Sequence, residues 1–305
     1  MEKFEITILG CGSATPGLKH FTSSQVLNIR EKLFMIDCGE GTQIQMRRTK
    51  IAFGKLNHIF ISHLHGDHCF GLLGIVSSFG LLGRTAPLFV HAPADMWKIL
   101  KPELDFYCQG MEYEVEFCGF NPKERTVIYD DKSLSVETIP LKHRIPTAGF
   151  LFKERPLPDH LDRAAADYYR VPQWDYNRIK NGGDFVTEDG KIIPHSQLTK
   201  PATPPRSYAY CCDTEYNPDM IEQITGVSTI YHDCTYSEAD KERAKKHFHS
   251  TAAQAANTAK QAEAGTLILG HFSARNNNEN ILLEEAKEIF KNSYLAKENT
   301  TFTIE

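Results

Sequence analysis

Residues 56–68 read LNHIFISHLHGDH, an apolar run that passes without a linker into three histidines and an aspartate. The run 56–62 is short, rich in Ile and Phe, and predicts a buried strand. On extended backbone, side chains two positions apart share a face, so His63 and His65 point the same way and suit one cation. Gly66 permits a sharp change of direction, after which Asp67 and His68 open a helix and address a second position beside the first. Imidazole and carboxylate donors fit zinc, or another borderline divalent ion such as manganese or iron, with no cysteine required. Packing alone gives no reason to gather these groups at a strand end, where protonated histidines repel one another.

This hexapeptide cannot fill two coordination spheres. Three further candidates each follow an apolar run: His143 after the strand ending near Leu141, Asp213 after YAYCC, and His271 after LILG. Taken singly, His143 and His271 read as ordinary hydrogen-bonded histidines; beside HLHGDH they become ligand candidates, and a carboxylate such as Asp213 suits a bridge. Two neighbouring cations polarise a phosphoryl oxygen and acidify water, which points to hydrolysis. Asp67 then orients the water and takes its proton, and His249 donates to the leaving oxygen. On spacing alone, His249 is equally a plain helix-end histidine.

Outward from this centre the chain alternates short strands and helices. Strands are expected at 4–9, 24–29, 33–36, 87–91, 113–117, 134–139, 149–152, 207–212, 228–231 and 267–270, with a helix over 69–82. Asn217-Pro218 has the grammar of a helix start. Thr251 and Gln254 have capping-box spacing ahead of an alanine-rich helix running to Ala264. Leu282, Leu283, Ala286, Ile289 and Phe290 form one apolar helical stripe. Between 153 and 206 the composition shifts to prolines and a Gly182-Gly183 pair, which predicts an inserted arm. Within it Tyr168, Tyr169, Trp174 and Tyr176 interleave with Arg170 and Arg178. That mixture stacks on bases and pairs phosphates, or packs the arm internally.

The 305 residues, 41% hydrophobic and 24% charged, exclude disorder and fibrous repeats. A net charge of −5 argues against nonspecific coating of nucleic acid, so a polyanionic partner needs local basic patches or metal ions. Arg47, Arg48 and Lys50 form one such group, and Lys241, Arg243, Lys245 and Lys246 lead toward His249. Eight scattered cysteines without a C-x-x-C pair suggest a reducing, cytoplasmic setting. No signal peptide and no membrane span is expected.

The chain resembles the metallo-β-lactamase-fold hydrolases and, more narrowly, the ribonuclease Z family of tRNA 3′ endonucleases. The resemblance rests on LGCGSATP at 9–16, DCGEGTQIQM at 37–46, HLHGDHCFGLLG at 63–74, LKHRIPTAGF around His143, CCDT around Asp213, HST at 249–251 and GHFSAR at 270–275. It implies an α/β fold, a four-layer αββα sandwich over 1–305 with a projecting tRNA-binding arm inserted at about 153–206. It also implies two Zn2+ per subunit: His63, His65 and His143 on the first, Asp67, His68 and His271 on the second, and Asp213 bridging. Asp67 is the implied proton acceptor and His249 the helper acid. The implied reaction removes the 3′ trailer from precursor tRNA, leaving a 3′-hydroxyl on the tRNA and a 5′-phosphate on the trailer, in a homodimer whose arm holds the tRNA elbow for its partner.

Two stretches depart from the family pattern. The arm reads RVPQWDYNRIKNGGDF where a Gly-Pro turn is usual, and His-Glu-Ala-Thr appears as His232-Asp233-Cys234-Thr235, shortening one carboxylate by a methylene. The competing readings are a small-molecule hydrolase of the same fold (phosphodiesterase, thioesterase or lactonase) and a metal-stabilised RNA-binding protein without turnover. A redox diiron site is disfavoured because such proteins carry a glutamate where this chain has His65.

Overall fold

A computed structural model describes residues 2–276 and 278–305. The chain forms two compact units, Met1–Lys153 with Arg206–Glu305, and Glu154–Pro205. The larger unit opens with β1 (Phe4–Gly10), β2 (Ser24–Ile29), β3 (Lys32–Cys38), α1 (Thr42–Arg48) and β4 (Leu56–Phe60). The histidine turn carries the single turn α2 (Gly66–Cys69) and leads to α3 (Leu72–Leu81), β5 (Leu88–Pro93), α4 (Trp97–Tyr107) and β6 (Val115–Phe120). Then come β7 (Val127–Asp130), β8 (Leu134–Leu141) and β9 (Thr147–Glu154). The smaller unit holds β10 (His160–Leu161), α5 (Arg163–Tyr168), α6 (Tyr176–Lys180), β11 (Phe185–Val186), β12 (Ile192–Ile193) and β13 (Thr199–Lys200). The chain returns with β14 (Ser207–Cys211), β15 (Thr229–Asp233), α7 (Lys241–His247), α8 (Ala252–Gln261), β16 (Thr266–Gly270), α9 (Asn280–Ile289), β17 (Ser293–Leu295) and β18 (Thr301–Thr303).

Two seven-stranded sheets result, ordered β18-β1-β2-β3-β4-β5-β6 and β17-β16-β15-β14-β9-β8-β7. Alternation along each strand explains the layering. In β3, Phe34 and Ile36 join the core shared by both sheets and Met35 the core between the first sheet and α3; Cys38 joins the latter too, because the left-handed backbone at Asp37 breaks the alternation. On the second sheet, Ala252, Ala255, Ala256 and Ala259 of α8 pack with Ile230 and Leu267. The architecture is the expected αββα sandwich. Its decisive feature for chemistry is direction: β3 and β4 run parallel, as do β14, β15 and β16. Their carboxyl ends therefore fall in one row, and the loops that follow them share one edge.

Most predicted elements appear within a residue or two, and four differences have physical causes. The strand through 62 ends at Phe60. The helix predicted over 69–82 breaks between α2 and α3, where Gly71 donates its N–H to Cys38 at 2.8 Å and lies so close that a Cβ would sit 2.2 Å from the Gly39 carbonyl oxygen. The strand predicted at 113–117 shifts to β6, because Tyr113 instead inserts its ring under α3 and donates to the Val76 carbonyl at 2.6 Å. At Asn217-Pro218 the cap forms, with Asn217 accepting from the Asp219 amide, but only short 3-10 turns follow. The capping box of Thr251 and Gln254 is complete in both directions. All eight cysteines are free. Among the described residues, no helix is long and apolar enough to cross a membrane.

The smaller unit has its own core of Ala166, Val171, Ile179, Phe185, Ile193 and Leu198. Its aromatic residues divide: Tyr169 and Tyr176 pack against that core, whereas Tyr168 and Trp174 are each 80% exposed. Arg178 is committed to Asp175 through two 2.6 Å hydrogen bonds. The internal-packing reading thus applies to Tyr169 and Tyr176, while Tyr168 and Trp174 stay exposed.

A partly buried ion-pair cluster pins the loop after β1 to the C-terminal region. His20 Nε2 lies 2.7 Å from Glu279 Oε1, and its Nδ1 lies 3.0 Å from Glu298 Oε2. Burial alone would lower the imidazole's pKa, but hydrogen bonds to both carboxylates outweigh it and raise it to about 9. A folded-state pKa above the unfolded value stabilises fully below about pH 6.5, and that contribution is lost as pH rises through about 9. The melting-temperature difference between wild type and His20→Gln should accordingly be largest at pH 6 and shrink toward pH 10. A constant difference across that range would refute the clamp.

Candidate metal centre

The row of strand ends delivers each predicted residue. His63 and His65 follow β4, Asp67 and His68 lie in α2, His143 follows β8, Asp213 follows β14 and His271 follows β16. These seven side chains converge. Around one point stand His63, His65, His143 and Asp213; around a second stand Asp67, His68 and His271. His63 Nε2 is 2.9 Å from His65 Nδ1, which is 3.2 Å from His143 Nε2. Asp213 links the groups with separate oxygens. Its Oδ2 lies 3.4 Å from both His63 Nε2 and His143 Nε2, and its Oδ1 lies 3.2 Å from His68 Nε2 and 2.8 Å from His271 Nε2. Asp67 Oδ2 is 3.6 Å from His68 Nε2 and 3.7 Å from His271 Nε2. Donors about 2.0–2.1 Å from a tetrahedral cation stand roughly 3.3 Å apart, so both clusters have the spacing of ligand shells.

Four of the five imidazoles are aimed by their other nitrogen. His143 Nδ1 donates to the Phe248 carbonyl at 3.0 Å, His63 Nδ1 faces Ser62 Oγ at 2.9 Å, and His271 Nδ1 faces Thr235 Oγ1 at 3.0 Å. His68 Nδ1 donates to Asp37 Oδ2 at 2.7 Å. Asp37 is the residue that motif reading missed. Fully buried, it also accepts from the Ser62 amide at 2.8 Å, Ser62 Oγ at 3.0 Å and Tyr210 Oη at 2.7 Å. The available signal was an aspartate directly after the apolar strand LFMI, the same strand-end pattern that marked Asp213 and His271.

Backbone strain is also present at this edge. Asp37, Asp213 and His271 have φ of 55°, 58° and 63°, a left-handed conformation that costs on the order of 1 kcal/mol for each non-glycine residue. The turn after the strand is what points these side chains into the cluster.

Electrostatics also favour cations here. Burial would raise the Asp213 and Asp67 pKa values, but neighbouring imidazoles outweigh it and hold both carboxyls below their usual range. Burial would lower His68 and His271; the facing carboxylates instead raise His68 well above its ordinary value and His271 to about 10. Burial and neighbouring histidines push His63 and His65 down, and burial outweighs the pull of Asp213 to bring His143 to about 4. The pocket thus requires positive charge, which protons on two histidines provide and divalent cations would replace.

His249 stands beside this centre, its ring centroid 5.2 Å from those of both His143 and His271. Its Nδ1 donates to Asp233 Oδ2 at 2.7 Å. Burial alone would lower the His249 pKa; the Asp233 carboxylate reverses that and raises it. Asp233 is itself fixed by the Thr214 and Thr235 amides and Thr235 Oγ1. The shortened carboxylate of the His-Asp-Cys-Thr stretch therefore still reaches its histidine. A cavity of about 460 Å³ opens over the centre, bordered by Arg144, Arg243 and Arg275.

A family described as anti-Pycsar protein Apyc1 matches residues 4–157, which include His63–His68 and His143 but not Asp213, His249 or His271. The short form of human tRNase Z shares the fold, with a TM-score of 0.71 at 22% identity over 99% of each chain. So does the metallo-β-lactamase fold protein YhfI from Bacillus subtilis, with a TM-score of 0.70 at 16% identity over 99% of this chain and all of that one. Ribonuclease Z of Phocaeicola vulgatus is 56% identical over 305 residues, spanning all of this chain and 99% of that protein. With that match spanning the whole of this chain, the chain belongs to the ribonuclease Z family.

Proposed function

We propose that the chain removes the 3′ trailer of precursor tRNA by hydrolysis at a centre of two zinc ions, leaving a 3′-hydroxyl on the tRNA and a 5′-phosphate on the trailer. Family membership makes it a metal-dependent endoribonuclease of this type. His63, His65, His143 and Asp213 Oδ2 would hold one zinc, and Asp67, His68, His271 and Asp213 Oδ1 the other. The observation that carries this reading is the division of Asp213 between two histidine clusters. When bound, the pair of cations polarises the phosphoryl oxygens, lowers the pKa of water and stabilises charge built up during in-line displacement.

The remaining steps belong to the chain's own groups. Asp67 orients the attacking water and accepts its proton, its Oδ2 steadied by the Ala14 amide at 2.7 Å. His249 donates a proton to the departing 3′ oxygen, and Asp233 keeps it charged and correctly turned. Asp37 is a positioning residue for His68. The 154–205 unit grips the tRNA, with exposed Tyr168 and Trp174 as stacking surfaces. Homodimerisation is supported by exposed apolar side chains on the helical layer of the first sheet, among them Leu81, Leu82, Ile99, Phe106 and Tyr107. The setting proposed for this enzyme is the cytoplasm.

A 3′-extended precursor tRNA should be cut just past the discriminator base, with cleavage abolished by chelator and restored by Zn2+. Asp67→Ala should reduce the rate at least about a hundredfold while retaining RNA affinity. Intact RNA with stoichiometric zinc bound would sink the assignment. In Asp37→Ala four buried donors lose their acceptor; we expect a stability loss of about 2–4 kcal/mol and roughly 10–100-fold weaker metal binding, read by urea unfolding and metal titration. Deleting 154–205 should spare hydrolysis of bis-p-nitrophenyl phosphate and abolish precursor cleavage. Equal loss on both substrates would instead point to a structural role for this unit.

A further inference from the structure

We infer that a groove leading out of the central cavity, past Arg144 to an apolar recess, receives the first trailer nucleotides beyond the scissile bond. The inference rests on the endoribonuclease reading above. Three adjoining cavities define the path. Arg144 borders both the central cavity and a middle one, and Pro122, Lys123, Ile145 and Pro146 border both the middle one and an outer recess. The recess holds about 670 Å³, within the ~300–1,000 Å³ range of small-ligand sites. Leu64, Pro93, Phe120, Ile145 and Pro146 supply its apolar lining.

Its position follows from the ligand segments themselves. Leu64 lies between His63 and His65, and Ile145 and Pro146 come directly after His143 and Arg144. The stretches that carry the first ligand cluster therefore also form one wall of the recess, so a strand held at the centre continues into it without leaving the protein surface.

The chemistry of the path is that of single-stranded RNA. An apolar surface accepts the face of a base, and cations beside it accept phosphates. Arg144 extends to within 3.3 Å of His65 Nε2, and Lys123 stands at the junction of the middle and outer cavities. Among the described residues, neither has a carboxylate within ion-pair distance, whereas Lys142 is paired with Asp219 at 2.7 Å. The acidic groups on the path are Glu215 in the middle and Asp95 in the recess, the latter paired with Lys98 at 2.7 Å.

Bond cleavage decides which end of the RNA lies here. Water adds to phosphorus, the bond from phosphorus to the 3′ oxygen breaks, that oxygen takes the His249 proton, and the phosphate stays on the trailer. The tRNA end therefore faces His249, whose neighbours in the cavity include Tyr236, Arg243 and His247. The trailer must leave by another route, and the border shared by His143 and Arg144 opens onto the groove.

Lys123→Glu and Ile145→Glu test this. With precursors carrying a trailer of six or more nucleotides, each variant should raise KM about tenfold. KM for a one-nucleotide trailer and turnover of bis-p-nitrophenyl phosphate should stay at wild-type values. A 4-thiouridine two positions into the trailer should crosslink to residues 120–123 or 144–146. Equal KM effects on all trailer lengths, no effect on any, or crosslinks to those residues from the tRNA acceptor end instead would overturn the proposal. Wild-type protein that cleaves no precursor at all would overturn the endoribonuclease reading itself, which separates the two failures.

Discussion

A buried carboxylate placed between two sets of imidazoles sets the terms for the whole active edge. Asp213 is 2% exposed and engages different histidines with each oxygen. Removing such a group from water is costly unless positive charge meets it at close range. The surrounding structure supplies that charge on two sides and holds it in place. Protonated His68 and His271 serve in the protein alone, and the ligand-like spacing suits divalent cations in the working enzyme. The strained turns at Asp37, Asp213 and His271 belong to the same constraint, since they aim groups inward that an unstrained strand end would leave pointing along the sheet.

The two sheets serve this arrangement through their direction. Strands running parallel present their carboxyl ends together, so contributions separated by up to two hundred residues arrive at one edge. Antiparallel neighbours would have sent alternate ends to opposite sides. The buried polar network of Asp37, Ser62 and Tyr210 lies across the interface of the two sheets and ties His68 to both. Metal chemistry and sandwich packing are therefore the same problem solved once: the core fixes the carboxylate that aims the ligand.

Catalytic generality and substrate choice are divided between different parts of the chain. The centre gathers histidines and aspartates spaced to suit a pair of cations, and the match to a differently named family over residues 4–157 ends before Asp213. The proposed selection of RNA rests on other features: the 154–205 unit with its own core, the cationic border of the cavity, and the groove past Arg144. The half-exposed, half-packed aromatic cluster of the smaller unit reflects this division, with Tyr169 and Tyr176 building the unit and Tyr168 and Trp174 left outside it.

By itself the sequence determined the fold class, the alternation of strands and helices, and the identity of the seven converging side chains. Each of these was written in local chemistry: apolar runs of strand length, donors gathered at strand ends, and motifs shared along the chain. It did not single out Asp37, because a buried aspartate after a strand is indistinguishable from a turn residue until its four donors are brought to it from Ser62, His68 and Tyr210. Nor did it foresee the break between α2 and α3, which depends on how closely Gly71 approaches Gly39 in the loop after β3. Tertiary structure alone decided which oxygen of Asp213 faces which histidines, and that His249 is held by Asp233. Those relations are distances between segments far apart in the chain, and only packing fixes them.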